Sequence, residues 1–101
     1  MDNYRILVVD DEEDLCEILK FNLENEGYEV DTANSAEEAL KMDLPLYHLL
    51  LLDVMMGEIS GFRMANMLKK DKTTAHIPII FITAKDTEND TITGFLSLIH
   101  I

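Results

Sequence analysis

Asp10 and Asp11 follow directly on the apolar run Ile6 to Val9, Asp53 follows on Leu49 to Leu52, and Thr83 follows on Ile79 to Ile82. Short apolar runs bounded by turn residues read as strands, so these four side chains stand at strand ends. Three carboxylates drawn into one crevice repel one another unless a cation lies among them. A hard divalent ion meets that need, and magnesium in particular takes oxygen ligands, keeps several waters and shares one or two carboxylates with a phosphate. An aspartate beside such an ion can attack phosphorus and become an acyl phosphate, while the ion neutralises the oxygens in transfer. Asp53 is the best-placed nucleophile, because it closes a buried central strand whereas Asp10 and Asp11 open a looser loop. The Thr83 hydroxyl can then hydrogen-bond the new phosphoryl oxygens as a sensor.

The elements that must position these residues alternate along the chain. Residues 4 to 9 form a strand that runs into the acidic stretch Asp10 to Asp14. Leu15, Ile18, Leu19 and Leu23 recur at helical spacing, and Gly27 supplies a stop. Glu12 to Asp14 suit the positive end of that helix. Tyr28 to Ala33 reads as a second strand. Ser35 and Glu38 have capping-box spacing for a helix through Met42, closed by Pro45. Residues 47 to 53 read as a strand buried on both faces, although leucine is a weak strand former. A turn containing Gly57, Ser60 and Gly61 leads to Phe62, Ala65 and Leu68 at helical spacing, with Met64 and Met67 widening the apolar face. Pro78 opens the strand Ile79 to Ile82, and Asp86 or Thr87 can cap a last helix. Such alternation predicts an α/β fold, a parallel sheet covered by helices on both faces. Ligands in such folds bind at the carboxyl ends of strands, where the strand order reverses.

With 101 residues the chain has room for one domain and a single core. A net charge of −12, from 8 Lys and Arg against 20 Asp and Glu, opposes nucleic-acid binding by this segment. No apolar run reaches membrane-spanning length and no basic leader precedes one, so a cytoplasmic protein with no membrane contact is expected. The single Cys16 cannot form an internal disulfide. His48, His76 and His100 lack metal-ligand spacing, and the methionines suit packing.

The segments Ile6-Leu7-Val8-Val9-Asp10-Asp11-Glu12, Leu51-Leu52-Asp53-Val54-Met55-Met56, Ser60-Gly61-Phe62 and Ile77 to Lys85, taken in order, resemble the receiver domain of bacterial two-component response regulators. The resemblance implies a flavodoxin-like fold with strand order 2-1-3-4-5. It also implies phosphoryl transfer from a sensor histidine kinase to Asp53, switching an output domain that is commonly DNA-binding. Magnesium would be held by Asp11, Asp53 and the Met55 backbone carbonyl, with Asp10 acting largely through water. Thr83 would move toward the phosphoryl group. Such a domain is a phosphoacceptor switch that assists its own phosphorylation and dephosphorylation rather than a conventional enzyme. Two positions depart from the pattern: Gly57 stands where proline is usual, and His48 where an acid is common.

The family pattern continues past Gly94-Phe95 into a fifth strand with a switch aromatic, a Lys-Pro pair and a fifth helix, none of which this chain carries. Residues 1–95 are therefore expected to be an incomplete receiver domain. Residues 96–101, Leu-Ser-Leu-Ile-His-Ile, resemble a translated transposon end and are expected to be a non-native tail. Loss of the fifth strand predicts a bare outer edge along Ile79 to Ile82, a site for aggregation. Three rival readings fit less well. A haloacid-dehalogenase-type hydrolase needs a second aspartate where Met55 stands, and a flavin-binding flavodoxin needs a glycine and hydroxyl loop where Asp10 to Asp14 stand. A receiver-like module without phosphorylation has no need of the acidic pair, Asp53 and Thr83 together.

Overall fold

The computed structural model describes residues 4–82 and the backbone of residues 98–100. Strands β1 (Arg5–Val9), β2 (Glu29–Ala33), β3 (Leu49–Asp53) and β4 (Ile79–Ile82) alternate with helices α1 (Glu13–Asn25), α2 (Ala36–Leu40) and α3 (Gly61–Lys69). A short 3-10 turn, Leu44–Leu46, carries Pro45. These four strands lie in the order 2-1-3-4 and are mutually parallel, with β1 between β2 and β3. From β1 the chain first builds outward through β2, then crosses back to place β3 on the other side. That reversal opens a crevice beyond the carboxyl ends of β1 and β3.

Strand periodicity divides the core into two layers. Leu7, Val9, Leu50, Leu52, Ile79 and Phe81 face α2 and α3, whereas Ile6, Val8, Val30 and Leu51 face α1. Both faces of β3 are thus covered, which is why a run of leucines rather than an alternating pattern forms this strand.

Helix faces follow the 3.6-residue repeat, with one shift from expectation on α1 and two on α3. On α1 the inward stripe is Leu15, Cys16, Leu19 and Leu23, and Ile18 turns outward to solvent. On α3 it is Gly61, Met64, Ala65 and Leu68, leaving Phe62 and Met67 substantially exposed. Gly27 ends the first helical unit at φ 101, a left-handed conformation that favours glycine. The helix after Ser35 closes at Leu40, short of Met42. Ser35 Oγ accepts the Glu38 N–H at 3.0 Å, as a capping box requires, but the Glu38 carboxylate accepts the N–H of Asn34 at 2.9 Å, one residue before the cap.

His48 and Tyr47 hold the sheet from below β3. The His48 Nδ1 accepts the Arg5 N–H at 2.9 Å, and the buried Tyr47 hydroxyl donates to Asp31 at 2.6 Å. His48 and His76 are exposed, while His100 has no described side chain.

The outer edge of β4 is not bare. Residues Leu98–His100 form β5, antiparallel to it, pairing Phe81 with Leu98, Ile80 with Ile99 and Ile79 with His100. No parallel fifth strand occurs among the described residues. An unpaired strand edge offers a row of N–H and C=O groups, so an extended segment within reach satisfies it in either direction. The expected last helix, with Asp86 or Thr87 as its cap, lies outside the described residues. Among the described residues, no helix is long and apolar enough to cross a membrane.

The two-layer packing makes a direct expectation. Leu50→Ala, at a position fully shielded from solvent, removes about 2–5 kcal/mol from the unfolding free energy. Phe21→Ala, on the outer face of α1 with 66% of its surface exposed, changes it by less than about 0.5 kcal/mol. Urea denaturation of the two variants beside the parent chain measures both.

Candidate metal centre

Asp10 leaves the end of β1, Asp53 is the last residue of β3, and adjacent pairing of those strands sets the two side by side. One carboxylate oxygen from each of Asp10, Asp11 and Asp53 lies within 4.8 Å of the others. Asp10 and Asp53 are buried, at 2% and 7% exposure, while Asp11 reaches solvent. Among the described residues none of the three is in a salt bridge. The cluster expected from the sequence is therefore assembled by the fold.

Backbone donors fix the two buried carboxylates. Asp10 Oδ1 accepts the Glu12 N–H at 2.9 Å, and Asp53 Oδ1 accepts the Met55 N–H at 3.3 Å. These bonds favour ionisation, but burial outweighs them. Asp10 is pushed up to about 7, first by desolvation and then by the adjacent charges of Asp53 and Asp11. Asp53 is held above the ordinary carboxylate range, also chiefly by burial, with the Met55 N–H and Asp10 pulling it back. Oxygen-only donors, two of them shielded and one open to water, fit a hard divalent cation rather than a soft one.

The main chain beneath the cluster is held just as firmly. The Asp10 N–H donates to the Ala33 carbonyl at 3.1 Å, and the Asp10 carbonyl accepts from Asn34 Nδ2 at 3.1 Å and from the Cys16 thiol at 3.4 Å. Burial keeps Cys16 a thiol by raising it to about 11. On the other side, the N-terminus of α3 closes directly over β3. The Gly61 N–H donates to the Val54 carbonyl at 3.1 Å, and a Cβ at Gly61 would collide with the Asp53 carbonyl oxygen. Ser60 caps this helix by accepting the Arg63 N–H at 3.1 Å.

Asn34, Cys16 and Gly61 thus support the site, and residue type and spacing alone do not mark the first two as part of it. Gly61 carries a usable signal, a glycine at the first turn of a helix next to a strand-end acid. The contributions of Asn34 and Cys16 depend on contacts across 24 and 6 residues of chain, which local patterning does not display. Gly57 is a mild departure: it has no positive φ, and a Cβ there would meet nothing within 4 Å. Thr83 lies outside the described residues. It follows Ile82, whose register partner across the sheet is Asp53.

Comparison with known proteins decides the family. The family model for the response regulator receiver domain matches residues 6–97. The chain belongs to that family. Members of the receiver family are phosphoacceptor switches of two-component signalling and not conventional enzymes. This receiver is 43% identical over 93 residues to the alkaline phosphatase synthesis transcriptional regulatory protein PhoP of Bacillus subtilis, covering 91% of this chain and 38% of PhoP. It is 48% identical over 96 residues to the response regulator PleD of Caulobacter vibrioides, covering 92% of this chain and 21% of PleD. The receiver therefore spans well under half the length of these relatives. Among solved structures it is similar to the response regulator TrrA of Thermotoga maritima in complex with Mg(2+)-BeF, with TM-score 0.73 and 45% identity, covering 82% of this chain and 71% of that one. The N-terminal receiver of a Methanoculleus marisnigri response regulator gives TM-score 0.77 at 37% identity, covering 85% and 71%.

Two expectations follow from the receiver's site. Because the folded-state value of Asp10 lies above its unfolded value near 4, ionisation opposes folding, and metal-free stability falls as pH rises from about 4 to about 7. Asp10→Asn flattens that decline and raises metal-free stability at pH 8 by about 2–4 kcal/mol, since each tenfold change in an acid's dissociation constant is worth about 1.4 kcal/mol. Denaturant titrations across pH in the presence of a chelator measure it. Separately, Gly61→Ala costs about 1–3 kcal/mol or more because strand and helix must part. Gly57→Ala is neutral or stabilising by up to about 1 kcal/mol. Thermal unfolding of the pair distinguishes a glycine the site needs from one it does not.

Proposed function

We propose that Asp53 is the phosphoacceptor of this receiver domain and takes its phosphoryl group from the phosphohistidine of a sensor histidine kinase. The observation that carries this reading is the meeting of Asp10, Asp11 and Asp53 within 4.8 Å, with Asp53 at the end of the central, doubly covered strand. Magnesium is the cation proposed for the cluster, held by Asp11, Asp53 and the Met55 backbone carbonyl, with Asp10 acting largely through water. The all-oxygen donor set supports that choice, as does the magnesium named with the related TrrA structure. When bound, magnesium neutralises charge on the phosphoryl oxygens during transfer.

The protein's own contribution is orientation. Asp53 Oδ1 is tethered to the Met55 N–H, which restricts rotation of the carboxylate. An Asp53 oxygen attacks phosphorus, a P–O bond replaces the donor's P–N bond, and the imidazole leaves with the bonding electrons. Asp10 and Asp11 gather the positive charge that lets two anions approach each other. Thr83 is proposed to hydrogen-bond the phosphoryl group once it is in place and so report its arrival. Its place in the chain directly after Ile82 supports this, because Ile82 is in register with Asp53.

The whole protein is proposed to be a cytoplasmic response regulator whose output lies outside this segment. Regulation of transcription is one output consistent with the name of the PhoP relative. The receiver is further proposed to assist its own phosphorylation from small donors and its own dephosphorylation. Treatment with acetyl phosphate and magnesium tests the core of the reading. Acid-labile phosphate appears on the parent chain, is absent from Asp53→Asn, and falls at least about tenfold in initial rate in Asp11→Asn. Labelling of Asp53→Asn equal to the parent removes Asp53 as the acceptor.

A further inference from the structure

The peptide unit that joins Asp10 to Asp11 is the hinge on which both metal-facing side chains turn. Its carbonyl oxygen belongs to Asp10 and its nitrogen to Asp11, so the direction of that one carbonyl constrains the backbone from which both side chains leave. Two donors hold it: Asn34 Nδ2 at 3.1 Å and the Cys16 thiol at 3.4 Å. Asn34 is the stronger of the two, since an amide N–H is a better donor than a thiol. Because a carbonyl only accepts, the amide nitrogen of Asn34 must be the atom facing it, which settles the orientation of the side chain.

Asn34 is itself anchored from the far side. Its backbone N–H donates to Glu38 Oε1 at 2.9 Å, and the Glu38 N–H donates in turn to Ser35 Oγ at 3.0 Å. The first turn of α2 therefore grips the loop after β2, and that loop grips the loop after β1. Asn34 touches none of the three carboxylate groups among its described hydrogen bonds.

We propose that Asn34 is a positioning residue for the cation site, setting the Asp10–Asp11 peptide so that Asp11 meets Asp10 and Asp53 around one ion. This rests on the reading of those three aspartates as a magnesium site. Groups that orient ligands without touching the metal are commonly worth about 10–100-fold in metal affinity. Losing the Asn34 donor leaves only the thiol on the carbonyl, and the loop gains freedom that ion binding must then remove.

Calorimetric titration of magnesium chloride into the 101-residue chain tests this. The variants are Asn34→Ala, the near-isosteric Asn34→Leu that lacks any donor, and Thr74→Ala. Thr74 donates to the Leu68 carbonyl at 2.7 Å near the opposite end of α3, so its variant loses stability without touching the loop. The expected result is a Kd about tenfold weaker for both Asn34 variants, measured well below their metal-free melting temperatures, and an unchanged Kd for Thr74→Ala. If only one Asn34 variant folds, its Kd decides. Parent-like Kd values in the Asn34 variants, even with a lowered melting temperature, overturn the inference and leave a purely structural asparagine. A parent chain that takes up no magnesium overturns the metal-site reading, and this inference falls with it.

Discussion

Asp10 and Asp53 place two carboxylates at the ends of adjacent strands with almost no access to water, and Asp11 adds a third at the rim. Ionising all three in that space is opposed by desolvation and by mutual repulsion, and the single backbone N–H that each buried group accepts does not offset it. In the absence of a counter-charge, burial and repulsion both favour the protonated form of the pair. A divalent cation among the carboxylates would relieve that repulsion, which is the role proposed for magnesium. Such electrostatics suit a small, highly charged partner, which is the ground for the magnesium proposed here.

A soft framework would let the carboxylates drift apart and dissolve this tension, so the surrounding structure has to hold them. Asp53 ends a strand with Leu50 and Leu52 packed on one face and Leu51 on the other, flanked by parallel neighbours on both sides. Gly61 lets the start of α3 press against the Asp53 carbonyl, which removes the remaining freedom at that end. Close packing therefore fixes Asp53 from the strand and helix sides.

Much of this is legible from residue order. Short apolar runs ending in acids define the strands and their ends, and the helical repeats of α1 and α3 define which layer each helix covers. Details that depend on rotation or distance are less visible. Ile18 and Leu19 are equally apolar, and only the direction of α1 against the sheet decides that Leu19 goes in and Ile18 out. Phe62 reads as core by hydrophobicity, yet Gly61 occupies the closest approach and Phe62 instead leans on Phe81 with ring centroids 4.6 Å apart. The pairing of residues 98–100 with β4 is likewise not legible. Edge pairing depends on backbone groups that every residue type carries, so side-chain patterns do not announce it.

Strong hydrogen bonds made directly to a carboxylate would compete with a cation for the same lone pairs, so rigidity supplied that way would weaken binding. The main chain offers a route without that conflict. The Asp10 N–H is held by Ala33 and its carbonyl by Asn34 and Cys16, contacts that fix the residue while leaving its side chain with one backbone donor. Asp53 follows the same scheme, with its backbone locked in β3 and beneath Gly61 and its carboxylate tethered by one N–H. Firm backbones under lightly satisfied side chains are what a site needs if the groups must be in place before the ion arrives and still have lone pairs to give it. In this chain that scheme draws on Cys16 of α1, on Ala33 of β2 and on Asn34 ahead of α2, residues that contribute none of the three aspartates of the cluster but reach the back of Asp10.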